Sequence, residues 1–111
     1  MPDLDPEDEK IVILARSARA RTQAAEGAAV RDTDGRTYAA TTVELPSLRL
    51  TALQAAVAAA VSSGAEGLEA AAVVTDFPLV QGCSVQAVRD LTESAPILRA
   101  DPAGTVQETL R

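Results

Sequence analysis

The chain has no histidine, no tryptophan and a single cysteine, Cys83. Without an imidazole nothing activates Ser62, Ser63, Ser84 or Ser94, so a Ser-His-Asp hydrolase is excluded. A zinc centre needs three or four Cys, His or carboxylate ligands. Cys83 alone cannot supply them, and only neighbouring acids or several subunits meeting at Cys83 could complete a set. One cysteine makes no intrachain disulfide, which fits a reducing compartment. Aromatic residues make up 2% of the chain while hydrophobic residues make up 47%. The core must therefore be built from Ala, Val and Leu. Buried alanine contributes far less than the roughly 1.5–3 kcal/mol of a buried leucine or valine. Elements must approach closely or borrow burial from another copy, so a homodimer or homotetramer is expected. The chain also lacks a long apolar run. The Ala/Val stretch at 55–61 is far short of the roughly 20 residues that span a bilayer. Met1-Pro2-Asp3-Leu4-Asp5 is acidic and polar, unlike a secretory segment. A cytoplasmic protein with no membrane partner is expected. Basic charge is scarce too: the formal charge is −6 and the pI about 4.5. Phosphate-backbone binding needs a basic face, so no nucleic-acid partner is expected. Arg16, Arg19 and Arg21 read as a solvated helix face or as a complement to the helix dipole.

What is present divides into short alternating elements of one domain, residues 8–111, behind a flexible N-terminus, residues 1–7. Asp5 as N-cap, Pro6 in the first turn and Ile11, Leu14, Ala15 and Ala18 at helical spacing predict a helix over 6–22. Gly27 to Arg31 predicts a strand, Thr33-Asp34-Gly35 a hairpin turn and Thr37 to Glu44 the partner strand. Asp32 and Asp34 belong to the geometry of that turn. Leu45-Pro46-Ser47 breaks the strand. Leu50 to Ser63 predicts a helix apolar almost all round, ended by Gly64 and Gly67. The apolar run within 68–75 suits a strand buried on both faces. A helix over 84–93 and strands over 96–100 and 105–110 complete the order α-β-β-α-β-α-β-β.

The residues between 27 and 61 carry a further pattern. Gly27-Ala28-Ala29 is followed by Asp34-Gly35-Arg36 and Tyr38, then Thr42-Val43-Glu44, Ser47, Leu50-Thr51 and an alanine-rich helix from Ala52. This resembles the free-nucleoside cytidine deaminases, whose pattern reads G-A-A, D-G-x-x-Y and N-x-E-x-x-S-x-x-L-T-x-C-A-E. The resemblance covers about residues 8–110. It implies a three-layer α/β/α fold with a mixed five-stranded sheet. It also assigns positions. Where the family has C-A-E, this chain has Leu53-Gln54-Ala55, so the zinc-binding thiolate and the proton-shuttling carboxylate are replaced by Leu53 and Ala55. The family's second motif, P-C-G-x-C-R-Q, falls on Val80-Gln81-Gly82-Cys83-Ser84-Val85-Gln86. Its ligand positions become Gln81 and Ser84, and Cys83 falls on the spacer. A one-residue slip makes Cys83 a ligand, still alone. At a helix start it reads as a small buried residue; facing solvent there, it would be reactive.

Zinc deamination needs a metal that acidifies water and a carboxylate that is not a ligand. Neither is expected here, so no zinc and no other cofactor is expected. Thr42 and Glu44 occupy the positions that, by the resemblance, hold the ribose. Glu44 is either a remnant of that contact or an exposed acid at a strand end. The family's aromatic Y-S-G-F loop is replaced by Arg21-Thr22-Gln23-Ala24-Ala25, and its C-terminal E-E-L-L-P-x-x-F segment has no counterpart after Leu110. The expected protein is a non-catalytic relative, a pseudoenzyme, acting through oligomeric or regulatory interaction with an unidentified protein partner. In that assembly Ala55, Ala56, Ala58, Ala59 and Ala60 would permit close helix approach. A second reading is a nucleoside or small-molecule module, with Leu53 and Ala55 as an apolar floor and Glu44 as its anchor. A third is an active deaminase with an unusual site. The preference for Ala and Arg over Lys fits a high-GC bacterial source.

Overall fold

A computed structural model describes residues 4–111. Part of the segment expected to be flexible, residues 1–3, lies outside the described residues. Helix α1 runs Pro6–Thr22, with the Asp5 carboxylate accepting from the Glu7 amide at 2.8 Å as its N-cap. Strands β1 (Gly27–Asp32) and β2 (Thr37–Thr41) form the expected hairpin. Helix α2 runs Ala52–Ser62, β5 Leu68–Val74, α3 Gly82–Leu91, β6 Ile97–Ala100 and β7 Val106–Leu110.

These elements build the expected three layers around a mixed five-stranded sheet of order β2-β1-β5-β6-β7. The β5–β6 pair is parallel and the others antiparallel. The period-two alternation of strand side chains sorts the core. Ala28, Val30, Ala71, Val73 and Ile97 face α2 and α3, meeting Leu53, Ala56, Val57, Ala60 and Val88. Ala29, Ala70, Ala72, Val74 and Leu98 face α1, meeting Ile11, Val12 and Ala15. Both faces of β1 and β5 are thus covered, which is why Ala28 to Val30 and Ala70 to Val74 are continuous apolar runs, with the polar residues Arg31, Asp32 and Glu69 at the opposite end of the pair.

Small side chains bring α1 very close to the sheet. At Gly27 an added Cβ would lie 2.0 Å from the Ala15 carbonyl oxygen and 2.8 Å from the Arg19 nitrogen. Arg31 pins the other end of the helix. Its guanidinium bonds Asp8 Oδ1 at 2.9 Å, Glu69 Oε1 at 2.9 Å and the Glu7 carbonyl at 2.8 Å. The β1–β2 turn is organised by buried Asp32. It accepts from the Asp34 and Arg36 amides at 2.9 Å and from the Tyr38 hydroxyl at 2.8 Å. Burial opposes its charge, but these hydrogen bonds outweigh burial and hold the carboxyl below its usual range.

The element order differs from expectation in one place. The strand expected over Thr37 to Glu44 stops at Thr41. Beyond it β1 offers no further rungs, and the Thr42 amide turns to the Glu26 carbonyl at 3.3 Å. Val43–Leu45 (β3) then pairs with Leu48–Leu50 (β4) in a separate hairpin. The Pro46-Ser47 step, read as a strand break, is its turn, because proline pre-sets a turn conformation as readily as it ends a strand. The order is therefore α-β-β-β-β-α-β-α-β-β.

Candidate functional site

Helices α2 and α3 point their N-termini at one place beside the end of β5. Thr51 and Gln54 close the start of α2 with a capping box: Thr51 Oγ1 accepts from the Gln54 amide at 3.1 Å, and Gln54 Oε1 accepts from the Thr51 amide at 2.9 Å. Ser84, buried in the first turn of α3, donates its hydroxyl to Thr51 Oγ1 at 2.7 Å. That bond locks the two helix starts together.

Around them opens a cavity of about 500 Å³. The β3–β4 hairpin supplies Glu44 and Arg49, which face each other across the register. The segment after β5 supplies Thr75, Asp76 and Phe77, and the α3 cap supplies Gln81 and Cys83. Glu26, just ahead of β1, contributes the most deeply placed charge, being 7% exposed. Thr42 fixes it there: the Glu26 amide donates to Thr42 Oγ1 at 3.2 Å. Burial raises the Glu26 carboxyl above its ordinary value. The Thr75 hydroxyl partly offsets this, and nearby Asp76 adds to it.

The positions assigned from the sequence divide between this cavity and the core. Thr42, Glu44 and Gln81 line the cavity. Glu44 is both exposed and part of the wall, so its two readings are not exclusive. Leu53 and Ala55 do not form the floor expected of them. Leu53 is 0% exposed within the core under the sheet, and Ala55 is half-buried beside the capped turn. The polar side chains of Thr51 and Gln54 line the cavity instead. The capping box turns them toward the opening, while Leu53 follows the helical period inward. Cys83 is exposed, not buried as expected. In the first turn of α3 the inward position belongs to Ser84, which the hydrogen bond to Thr51 holds. The sequence reading passed over Glu26, Gln54, Arg49, Asp76 and Phe77. An acid immediately before a strand buried on both faces was the available signal for Glu26.

The residues at the assigned ligand positions do not fit a zinc ion. Leucine has no lone pair to give, the serine hydroxyl is engaged by Thr51, and glutamine is a poor ligand for this metal. Among the described residues, no three His, Cys, Asp or Glu side chains converge as a metal ligand set.

A three-layer α/β/α sheet with two helix N-termini meeting over a cleft is the architecture of the deaminase class. The family model for cytidine deaminase-like proteins matches residues 4–104, and the chain belongs to that family. Solved structures agree. The chain is similar to cytidine deaminase from Burkholderia pseudomallei, with a TM-score of 0.79 at 22% identity, over 91% of this chain and 89% of that one. It is similar to the enzyme from Mycobacterium leprae, with a TM-score of 0.71 at 24% identity, over 93% of each chain. The Mycobacterium tuberculosis enzyme gives a TM-score of 0.70 at 27% identity, over 96% of this chain and 91% of that one. No curated protein matches the chain.

Proposed function

We propose that this chain is a non-catalytic cytidine deaminase-like protein that keeps the fold and an open cleft. The observation that carries the proposal is the fate of the assigned chemical positions. Leu53 is core, Ala55 is a methyl group, and Ser84 is a structural hydroxyl bonded to Thr51. A deaminase needs a metal-bound water and a free carboxylate beside it, and these side chains offer neither. The test is elemental analysis of untagged, purified protein, with cytidine turnover measured on the same sample. Neither zinc nor turnover is expected. Stoichiometric zinc with turnover that survives further purification would sink the reading.

Two features support a role in binding and assembly. The cleft between the β3–β4 hairpin and the helix starts remains about 500 Å³, within the range of small-molecule sites. It favours the reading of a small-molecule module with Thr42 and Glu44 on its wall. The outer face of α2 leaves Ala58 and Val61 exposed, and Leu45, Leu48, Phe77 and Leu79 are also exposed. Ala56 and Ala60 are used inside the subunit, so Ala55, Ala58 and Ala59 are the small residues left for a neighbour. This supports a homodimer or homotetramer, which light scattering measures. No helix among the described residues is long and apolar enough to cross a membrane. A cytoplasmic, bacterial setting and a single domain over residues 8–111 complete the proposal.

A further inference from the structure

We infer that the cleft takes a small planar organic cation, an amidinium or guanidinium, whose charge is met by Glu26. The inference rests on the reading of this cleft as a binding site and adds the chemistry of its ligand.

Glu26 carries the argument. The residue is only 7% exposed, yet it lines the cavity. Among the described residues no cation pairs with it. The other buried charges among the described residues are satisfied: Arg31 by two carboxylates and a carbonyl, Asp32 by two amides and a phenol. A buried carboxylate without a counterion is unfavourable unless something supplies the opposite charge. Its place in the cavity lining is where such a charge could reach it.

The surroundings select the same ligand. Glu44 and Asp76 add negative charge to the wall, against Arg49 alone. Asp76 has Arg19 4.0 Å away but is itself largely exposed, so it stays available to the cleft. The absence of a converging ligand set argues against a metal ion among the described residues. Phe77, 52% exposed, lines the cavity, and an aromatic ring attracts a flat cation. A planar amidinium also matches a carboxylate with two parallel hydrogen bonds.

The test titrates ¹⁵N-labelled full chain with benzamidine, with benzamide and benzoate as neutral and anionic probes of the same shape, and with cytidine. Benzamidine should saturate shifts at the amides of Glu26, Thr42, Thr51 and Gln81, and bind more tightly than benzamide. Glu26→Gln should weaken benzamidine by about thirtyfold, as expected when one partner of a buried charge pair is removed. Asp76→Asn should weaken it by only about twofold, since that group is exposed. Equal binding of benzamidine and benzamide, or unchanged benzamidine affinity in Glu26→Gln, overturns the inference and leaves the cleft a binding site. Cytidine shifts at these amides without benzamidine shifts do the same. Silence at the cleft amides with every probe overturns both the inference and the binding reading beneath it.

Discussion

Replacing Gly27 with alanine tests the packing that positions Glu26. The new Cβ would lie 2.0 Å from the Ala15 carbonyl oxygen and 2.9 Å from the Arg19 Cβ. Both atoms belong to α1, and the closest is backbone, which no side-chain rotation can move. Relief requires the helix to retreat by more than an ångström. Retreat would unpack Ile11, Val12 and Ala15 from Ala29, Ala72 and Val74, all of them fully or almost fully buried. Arg31 resists the movement, because it ties the first turns of α1 to β1 and β5. Overpacking of this kind costs about 3 kcal/mol. For a domain of this size that corresponds to a fall in Tm of about 12 °C. Gly82→Ala is the control. Nothing lies within 4 Å of its added Cβ, and it stands in the first turn of α3. Alanine there should be neutral or slightly stabilising. The assay is thermal unfolding followed by circular dichroism, with urea unfolding to confirm the free energy. A Gly27→Ala protein melting within about 3 °C of the parent would refute the close-approach argument.

Three further predictions concern the site. Leu53→Ala should cost about 3 kcal/mol or more, because the side chain fills fully buried space, and urea unfolding measures this; a loss under about 1 kcal/mol would place Leu53 in the cleft after all. Thr51→Ala removes the N-cap of α2 and the acceptor for Ser84, and should cost about 1–2 kcal/mol by the same assay. Glu26 makes stability depend on pH. Its folded carboxyl titrates above the unfolded one because burial disfavours its charge. The associated stability is fully present below the ordinary glutamate range and is lost as pH rises through the raised value. Glu26→Gln should therefore be more stable than the parent at neutral pH, with the difference closing in acid. Paired urea midpoints across that range check the sign, and a variant less stable at neutral pH would contradict it.

Much of this molecule was written locally. The cap at Asp5, the turn held by Asp32 and the period of α1 act over a few residues, so their sequence signals survived folding unchanged. The apolar run Ala70 to Val74 in strand β5 announced burial on both faces because those residues had no polar side chain to offer water. The residue types at the positions the resemblance assigns, Leu53, Ala55, Gln81 and Ser84, were equally legible, since a thiol or carboxylate is present or absent in the residue itself. The β3–β4 hairpin was not, because β-branched residues through Thr42 and Val43 continue the strand signal past the point where β1 runs out of partners.

Sequence by itself thus determined the helices, the strands of the main sheet and which residue types stand at the assigned positions. Tertiary structure alone decided where the remaining polar groups point. Whether Cys83 or Ser84 faces inward depends on where α2 meets α3, which no local pattern specifies. Whether Glu26 is a surface acid or a buried one depends on residues brought from the link after β2 and from the end of β5. Burial is a property of neighbours distant in the chain, and it is burial that turns an ordinary carboxylate into the strongest feature of the cleft.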